Sequence, residues 1–179
     1  MTCIAAVAEK GRVYIGADSA AVDGWDLSIR PDEKVFANGL CIFGFICSFR
    51  MGQLLRYQFT VPKRPADMTN RIFMHTLFIE EVRTCLKKGG YAKVEDNVEK
   101  GGTFIVGYDG IIYMVENDFQ IYSPRDQFDA CGCGHAYAKA VLYATRGRKD
   151  NPRERIKLAL TTAEHFSAGV RGPFKILCL

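Results

Sequence analysis

The stretch TCIAAVAEKGRVYIGAD, residues 2–18, gives the clearest structural signal in the sequence. Residues 2–8 form a continuous run of small apolar side chains, which is typical of a central strand buried on both faces. Turn-forming residues follow at 9–11, and residues 12–17 form a second strand that returns antiparallel to the first. The sequence therefore predicts a β-hairpin near the start of the chain, with Asp18 at the exit of its second strand.

Strands and helices follow one another in blocks along the rest of the chain. Apolar runs next to turn signals predict strands at 34–36, 40–45, 103–107, 111–115, 119–122, 128–131 and 174–179. Helices are predicted after Ser48, Asp67, Gly134 and Pro152. The helix after Asp67 is expected to bury a stripe that includes Ile72, and the last helix a stripe that includes Phe166. Residues 92–102 have no apolar period, which indicates a solvated loop.

This order of strands, two helices, strands, two helices and a strand predicts an α+β fold. Two antiparallel sheets would lie face to face between two helix layers, which is a four-layer αββα sandwich. With 179 residues, 48% hydrophobic and 25% charged, the chain is expected to be a single domain over residues 1–179.

The charge and hydropathy patterns exclude several classes of partner. The net charge of +4 is too small and too dispersed to indicate binding to nucleic acid or to an anionic membrane. No apolar run reaches the length of about eighteen residues that a membrane-spanning helix needs. No basic leader precedes the apolar N-terminal stretch, so a cytoplasmic location is expected.

The seven cysteines are odd in number, and most lie inside apolar runs. Free thiols in a reducing compartment explain this pattern better than a disulfide framework. The C-x-C pair at 131–133 has no second Cys or His pair at zinc-site spacing, and the three histidines are far apart in the sequence. A metal site is therefore not expected.

Thr2 is the candidate catalytic residue. Removal of Met1, which is common when the second residue is small, would give Thr2 a free α-amine beside its hydroxyl. Such an amine has a reference pKa of about 7.7–8.0 and can take the hydroxyl proton directly or through a water molecule. Thr2 would then be a nucleophile toward an amide carbonyl.

Two ionisable residues follow Thr2 at spacings that are informative about function. Asp18 comes sixteen residues after Thr2, and Lys34 comes thirty-two residues after it. With this spacing the chain resembles the proteasome β-subunit and HslV group of N-terminal nucleophile (Ntn) hydrolases. The resemblance implies that Lys34 favours the alkoxide of Thr2 and that Asp18 pairs with Lys34 and fixes its rotamer. Whether the Thr2 amine or Lys34 takes the proton stays open at this point.

Two further segments resemble the same family. Phe-Gly-Phe at 43–45 is similar to its Ala-Gly-Phe-type segment, which implies that the Gly44 amide serves the oxyanion hole. Residues 132–138 are similar to its Gly-Ser-Gly-x-Pro-Tyr-Ala stretch, with Cys133 in place of the serine. Near the end of the last helix the family carries an Asp followed by a Ser. Here the Asp is missing, and Ser167 is expected to take part of its role.

The resemblance implies a bacterial or phage proteasome-like threonine peptidase that assembles with itself into a ring or double ring and needs no cofactor. Its substrate would be a peptide or a small amide, and the sequence names no unfoldase partner. Two other functions stay open. The chain could be a catalytically silent structural subunit of a ring, which Cys133 and the missing Asp favour, or a hydrolase of a small non-peptide amide.

Overall fold

The computed structural model of the chain describes residues 1–148 and 151–179. The strands are β1 (Cys3–Glu9), β2 (Arg12–Ala17), β3 (Ala20–Asp23), β4 (Asp26–Ile29), β5 (Val35–Asn38), β6 (Cys41–Phe45), β7 (Lys93–Glu95), β8 (Val98–Lys100), β9 (Phe104–Tyr108), β10 (Ile111–Val115), β11 (Ile121–Tyr122), β12 (Phe128–Gly132) and β13 (Lys175–Cys178). The helices are α1 (Phe49–Tyr57), α2 (Asn70–Phe73), α3 (Ile79–Lys88), α4 (His135–Ala144) and α5 (Pro152–Phe166). A π-helical turn, Met74–Phe78, joins α2 to α3, so these two form one continuous helix. The fold is mixed α/β with antiparallel sheets.

The predicted hairpin lies at the centre of the first sheet. This sheet has the strand order β12-β1-β2-β13, and the second has the order β11-β10-β9-β6-β5. In the hairpin, Ile4 pairs with Ala17 and Glu9 with Arg12. Because β1 has a partner on each side, the residue immediately before it is held at the end of a central strand.

Alternation of side chains along β1 links two parts of the core. Cys3, Ala5 and Val7 belong to a cluster with the buried side chains of α4 and α5. Ile4 and Ala6 belong to another cluster, which lies between the two sheets. A third cluster, rich in phenylalanine, packs α1, α2 and α3 against the second sheet. The small apolar residues of β1 thus allow packing on both faces, as the sequence predicted.

The expectation of a loop at 92–102 is wrong, because β7 and β8 form a hairpin there. Its turn residues Asp96 and Asn97 have φ values of 52° and 63°. Asp and Asn tolerate this left-handed conformation, which two-residue hairpin turns require. The strands carry too few apolar residues to show a strand period.

Three details of the helices also differ from expectation. Thr69, not Asp67, caps α2, with its hydroxyl accepting the N–H of Ile72 at 3.3 Å. Ile72 is 52% exposed while Phe73 is buried, because the π-helical turn adds a residue and shifts the buried face. Phe166 is 61% exposed rather than inward, since it lies in the last turn of α5.

Candidate active site

Thr2 lies immediately before β1 and is only 8% exposed. Its hydroxyl Oγ1 donates to the carbonyl oxygen of Met1 at 2.6 Å. With Met1 attached, the Thr2 nitrogen belongs to a peptide bond and the free amine is that of Met1. The hydroxyl is therefore in place, while the amine function depends on removal of Met1.

Asp18 and Lys34 form a buried ion pair close to Thr2. The Lys34 Nζ lies 3.0 Å from Asp18 Oδ1 and 3.1 Å from Oδ2, and each residue is 2% exposed. The same carboxylate accepts the N–H groups of Cys3 at 2.9 Å and Ala20 at 3.0 Å. These backbone donors fix the carboxylate, and the carboxylate in turn fixes the lysine.

The carbonyl oxygen of Met1 connects the ion pair to the hydroxyl. Lys34 Nζ donates to it at 3.4 Å, and Thr2 Oγ1 donates to the same atom. Burial lowers the pKa of Lys34 below its usual 10.5, while the charge of Asp18 acts in the opposite direction. Lys34 therefore loses its proton, and becomes a neutral amine, more readily than an exposed lysine does.

Cys133 and Ser167 also lie at the site. The Cys133 thiol donates to the Thr2 carbonyl oxygen at 3.4 Å, and the Ser167 hydroxyl donates to Cys133 Sγ at 3.5 Å. A chain of polar contacts therefore runs from the end of α5 to Thr2. It consists of sulfur contacts, which are weaker than those of a hydroxyl.

Gly44 is not placed to donate its N–H to this site. It lies within β6, where a methyl group added to it would come within 2.7 Å of Ile4 and 2.8 Å of Ile15 in the core between the sheets. The N–H of the next residue, Phe45, donates to the Lys34 carbonyl on the β5 side at 3.1 Å. Because successive N–H groups of a strand point in opposite directions, that of Gly44 points into the ladder with β9. The expected oxyanion role of Gly44 does not fit this geometry.

Cys47 is a residue of the site that the sequence analysis missed. It lies between β6 and α1, has a φ of 71°, and lines the same cavity as Thr2. Its N–H donates no hydrogen bond to another residue of the described ranges 1–148 and 151–179. The following Ser48, the N-cap of α1, marks a strand-to-helix turn, but nothing in the sequence indicates a cysteine in left-handed conformation.

The cavity beside Thr2 has a volume of about 480 Å³. Its walls are formed by Met1 and Thr2, by residues of the β3–β4 hairpin with the following Arg30, and by Cys47 and Phe49. A small peptide side chain or a small amide can enter a space of this size.

Within the ranges 1–148 and 151–179, no group of three or more His, Cys, Asp or Glu side chains is placed to hold a metal ion. No helix in these ranges is long and apolar enough to cross a membrane. All seven cysteines are free, and Cys47 and Cys133 are the exposed ones.

Comparison with known proteins gives a clear answer on the fold. No family model matches the sequence, and no curated protein matches it. Among solved structures, BPH from Thiobacillus denitrificans is similar with a TM-score of 0.81 and 19% identity, over 99% of this chain and 97% of that one. A second structure of that protein, in complex with epoxomicin, has a TM-score of 0.82 and 19% identity, over 99% of this chain and 98% of that one.

Two further solved structures share the fold. HslV from Trypanosoma brucei has a TM-score of 0.70 and 14% identity, over 99% of both chains. The Anbu (Gly-1) mutant from Hyphomicrobium sp. strain MC1 has a TM-score of 0.68 and 15% identity, over 98% of this chain and 80% of that one. The chain therefore has the fold of HslV-like, proteasome-like subunits.

Proposed function

We propose that this chain is a proteasome-like Ntn hydrolase that cleaves peptide bonds with Thr2 as nucleophile, once Met1 has been removed. One observation carries the proposal. The carbonyl oxygen of the Met1–Thr2 amide accepts hydrogen bonds from both the Thr2 hydroxyl and Lys34. An amide carbonyl thus already lies between the proposed nucleophile and the proposed cation.

In the first step, Thr2 Oγ1 attacks the carbonyl carbon of the substrate and transfers its proton to a base. Two groups are suitable. One is the amine of mature Thr2, and the other is Lys34, whose pKa is lowered by burial. In its charged form Lys34 would instead favour the alkoxide, with Asp18 holding it in position.

The tetrahedral intermediate that results carries an oxyanion. We assign its stabilisation to the N–H of Cys47, because this amide has no partner in the described residues and borders the cavity at Thr2. Loss of a donor of this kind typically costs about 2.7–4 kcal/mol in the barrier. The leaving amine takes up a proton as the C–N bond breaks, and water then hydrolyses the Thr2 ester to restore the hydroxyl.

The β3–β4 hairpin favours a peptide over a small amide as substrate. It is a separate two-stranded sheet that borders the cavity, so β3 has an edge without a strand partner in the described residues. An extended peptide can add to such an edge through backbone hydrogen bonds. A small amide would make no use of it.

The three core clusters are the observations behind the finer architecture that we propose. They support a four-layer αββα sandwich that is one domain over residues 1–179. We propose self-association into a ring in the cytoplasm, as the resemblance of the sequence to the proteasome β-subunit and HslV group implies. The proposed mechanism requires no cofactor, and it is compatible with an unfoldase partner of any kind.

One observation favours a silent structural subunit as the second candidate. While Met1 is attached, Thr2 has no free amine, and the carbonyl of Met1 occupies the contact with Lys34. A chain that keeps Met1 would lack the local base and present a blocked site.

Intact mass spectrometry with a peptide epoxyketone separates these functions. Epoxomicin is the probe of choice, because BPH was solved in complex with it. On mature Thr2 the hydroxyl adds to the ketone and the amine opens the epoxide, so one intact probe is added per chain. We expect loss of Met1, one adduct on Thr2, and no adduct on Thr2→Ala.

Other results would change the assignment. A chain purified from its native host that retains Met1 and takes no adduct is the silent subunit. A chain that loses Met1 but rejects several peptide epoxyketones points to a non-peptide amide. An adduct on Thr2→Ala at another residue would refute Thr2 as the nucleophile.

A further inference from the structure

The tip of the β3–β4 hairpin places two acidic side chains on the wall of the cavity beside Thr2. Asp23 ends β3 and Asp26 begins β4, and the two are directly paired across the hairpin. Both line the cavity that Thr2 also lines. A molecule that occupies the cavity would therefore lie beside these two carboxylates.

Like charges directly opposite each other on neighbouring strands repel and destabilise the hairpin. Neither Asp23 nor Asp26 forms a salt bridge within the part of the chain that the structure describes, whereas the nearby Asp32 pairs with Arg30 at 2.7 Å. A positive charge placed between Asp23 and Asp26 would relieve the repulsion. The chain itself supplies no such charge in the described residues.

The other charged side chains at or near the cavity are paired. Arg30 lies on the wall, but its guanidinium is paired with Asp32 and lies 4.1 Å from the centre of the Phe49 ring. Lys34 is buried against Asp18. Among the charged side chains on the described cavity wall, Asp23 and Asp26 are therefore the ones without a salt-bridge partner.

We infer that Asp23 and Asp26 select peptides with a lysine or arginine side chain on the acyl side of the cleaved bond. The inference rests on the proposed function of Thr2, since it assigns the charge of the substrate at that same site. The cationic side chain lies between the two carboxylates, while its aliphatic stem lies against Ala21, which lines the same cavity.

The expected selectivity is moderate because both carboxylates are exposed. An exposed ion pair changes an equilibrium by about 1.4- to fivefold, so two give roughly two- to twenty-five-fold. The preference should fall as salt is raised, since exposed charges are screened.

The test compares fluorogenic tetrapeptides that carry one lysine at the first, second or third position before the cleaved bond with the same peptides carrying norleucine. Norleucine keeps the aliphatic stem and removes the charge. The ratio of kcat/KM for each pair is measured for the parent, for Asp23→Asn/Asp26→Asn, and for the matched control Asp67→Asn. Asp67 is exposed and does not line the cavity.

A lysine preference at one position that drops to about one in Asp23→Asn/Asp26→Asn and persists in Asp67→Asn supports the inference. Equal kcat/KM values at all three positions overturn it, and so does a preference that survives in Asp23→Asn/Asp26→Asn. If no peptide is cleaved and epoxomicin forms no adduct, the proposed hydrolase function fails.

Binding then decides the inference independently of activity. The same peptides, labelled with a fluorophore, are titrated against Thr2→Ala, and their Kd values are measured by fluorescence anisotropy. Tighter binding of a lysine peptide that is lost on adding Asp23→Asn and Asp26→Asn supports the selection of cationic peptides. Equal Kd values for lysine and norleucine peptides overturn it.

Discussion

Replacement of Asp18 by alanine is the perturbation that tests the buried pair most directly. The carboxylate of Asp18 accepts hydrogen bonds from Lys34 and from the N–H groups of Cys3 and Ala20. The change leaves a lysine that is 2% exposed without its counterion, and it removes the acceptor of two backbone donors at the start of β1 and β3.

The expected cost follows from the distances. Two unit charges 3.0 Å apart attract by about 5.5 kcal/mol at an effective dielectric constant of roughly 20. Desolvation offsets part of this attraction, and removal of one partner from a buried pair typically costs about 3–5 kcal/mol. We therefore expect Asp18→Ala to lower the free energy of unfolding by about 3–5 kcal/mol at neutral pH.

The sign of the pH dependence is also fixed. Burial lowers the pKa of Lys34 and the charge of Asp18 raises it, so Asp18→Ala should lower it further. Between the folded and unfolded pKa values of a lysine, the unfolded state binds more protons, so stability rises with pH. The difference in the free energy of unfolding between the parent and Asp18→Ala should accordingly become smaller as the pH increases toward 10.5, the usual lysine value.

Urea unfolding followed by far-UV circular dichroism measures these changes, at one protein concentration because assembly also contributes to stability. The fluorescence of Trp25 is a poor probe, since this residue is fully exposed in the folded chain. The matched variant is Asp18→Ala/Lys34→Met, which removes the uncompensated charge. It should be more stable than Asp18→Ala alone. A double variant less stable than Asp18→Ala, or a loss below about 1 kcal/mol for Asp18→Ala, would refute the reasoning.

Three other expectations concern the site and the assembly. Lys34→Ala should abolish peptide hydrolysis while the far-UV circular dichroism spectrum stays that of a folded chain, and full activity would contradict the role given to Lys34. N-ethylmaleimide should modify the exposed Cys47 and Cys133 before Cys3, because burial raises the pKa of the Cys3 thiol to about 12. Peptide mapping by mass spectrometry gives the order of modification, and early reaction of Cys3 would show that the start of β1 opens. Light scattering at micromolar concentration should give a multiple of 20.0 kDa, and a monomer alone would count against a ring.

Much of the fold could be predicted because the relevant signals are local. Residues 2–18 contain both strands of the central hairpin and the turn between them, and the structure has this hairpin. The β7–β8 hairpin was missed because its strands carry charged residues, although Asp96 and Asn97 form a recognisable turn. The exposure of Ile72 could not be predicted. The π-helical turn shifts the buried face of the helix, and the spacing of apolar residues in the sequence does not reveal such a turn.

The site was partly predictable for a related reason. Asp18 leaves the first hairpin on the strand next to Thr2, so its position is fixed by pairing that the sequence shows. Gly44 was selected for the oxyanion role by its neighbours in the sequence. The direction of its N–H, however, depends on which strands flank β6. Cys47 became visible only with its backbone conformation, which favours glycine and is not expected of cysteine.

The charges around Thr2 divide into two groups with different physical properties. Asp18 and Lys34 are buried, so their interaction is strong, insensitive to salt and suited to the proposed activation of Thr2. Asp23 and Asp26 are exposed on a hairpin tip, so they act weakly and are screened by salt, which suits them to selecting a substrate rather than activating it. Activity and selectivity should therefore respond separately to ionic strength. Salt should reduce the lysine preference through Asp23 and Asp26, while the reactivity of Thr2 toward an uncharged probe stays nearly constant because its charges are out of reach of the solvent.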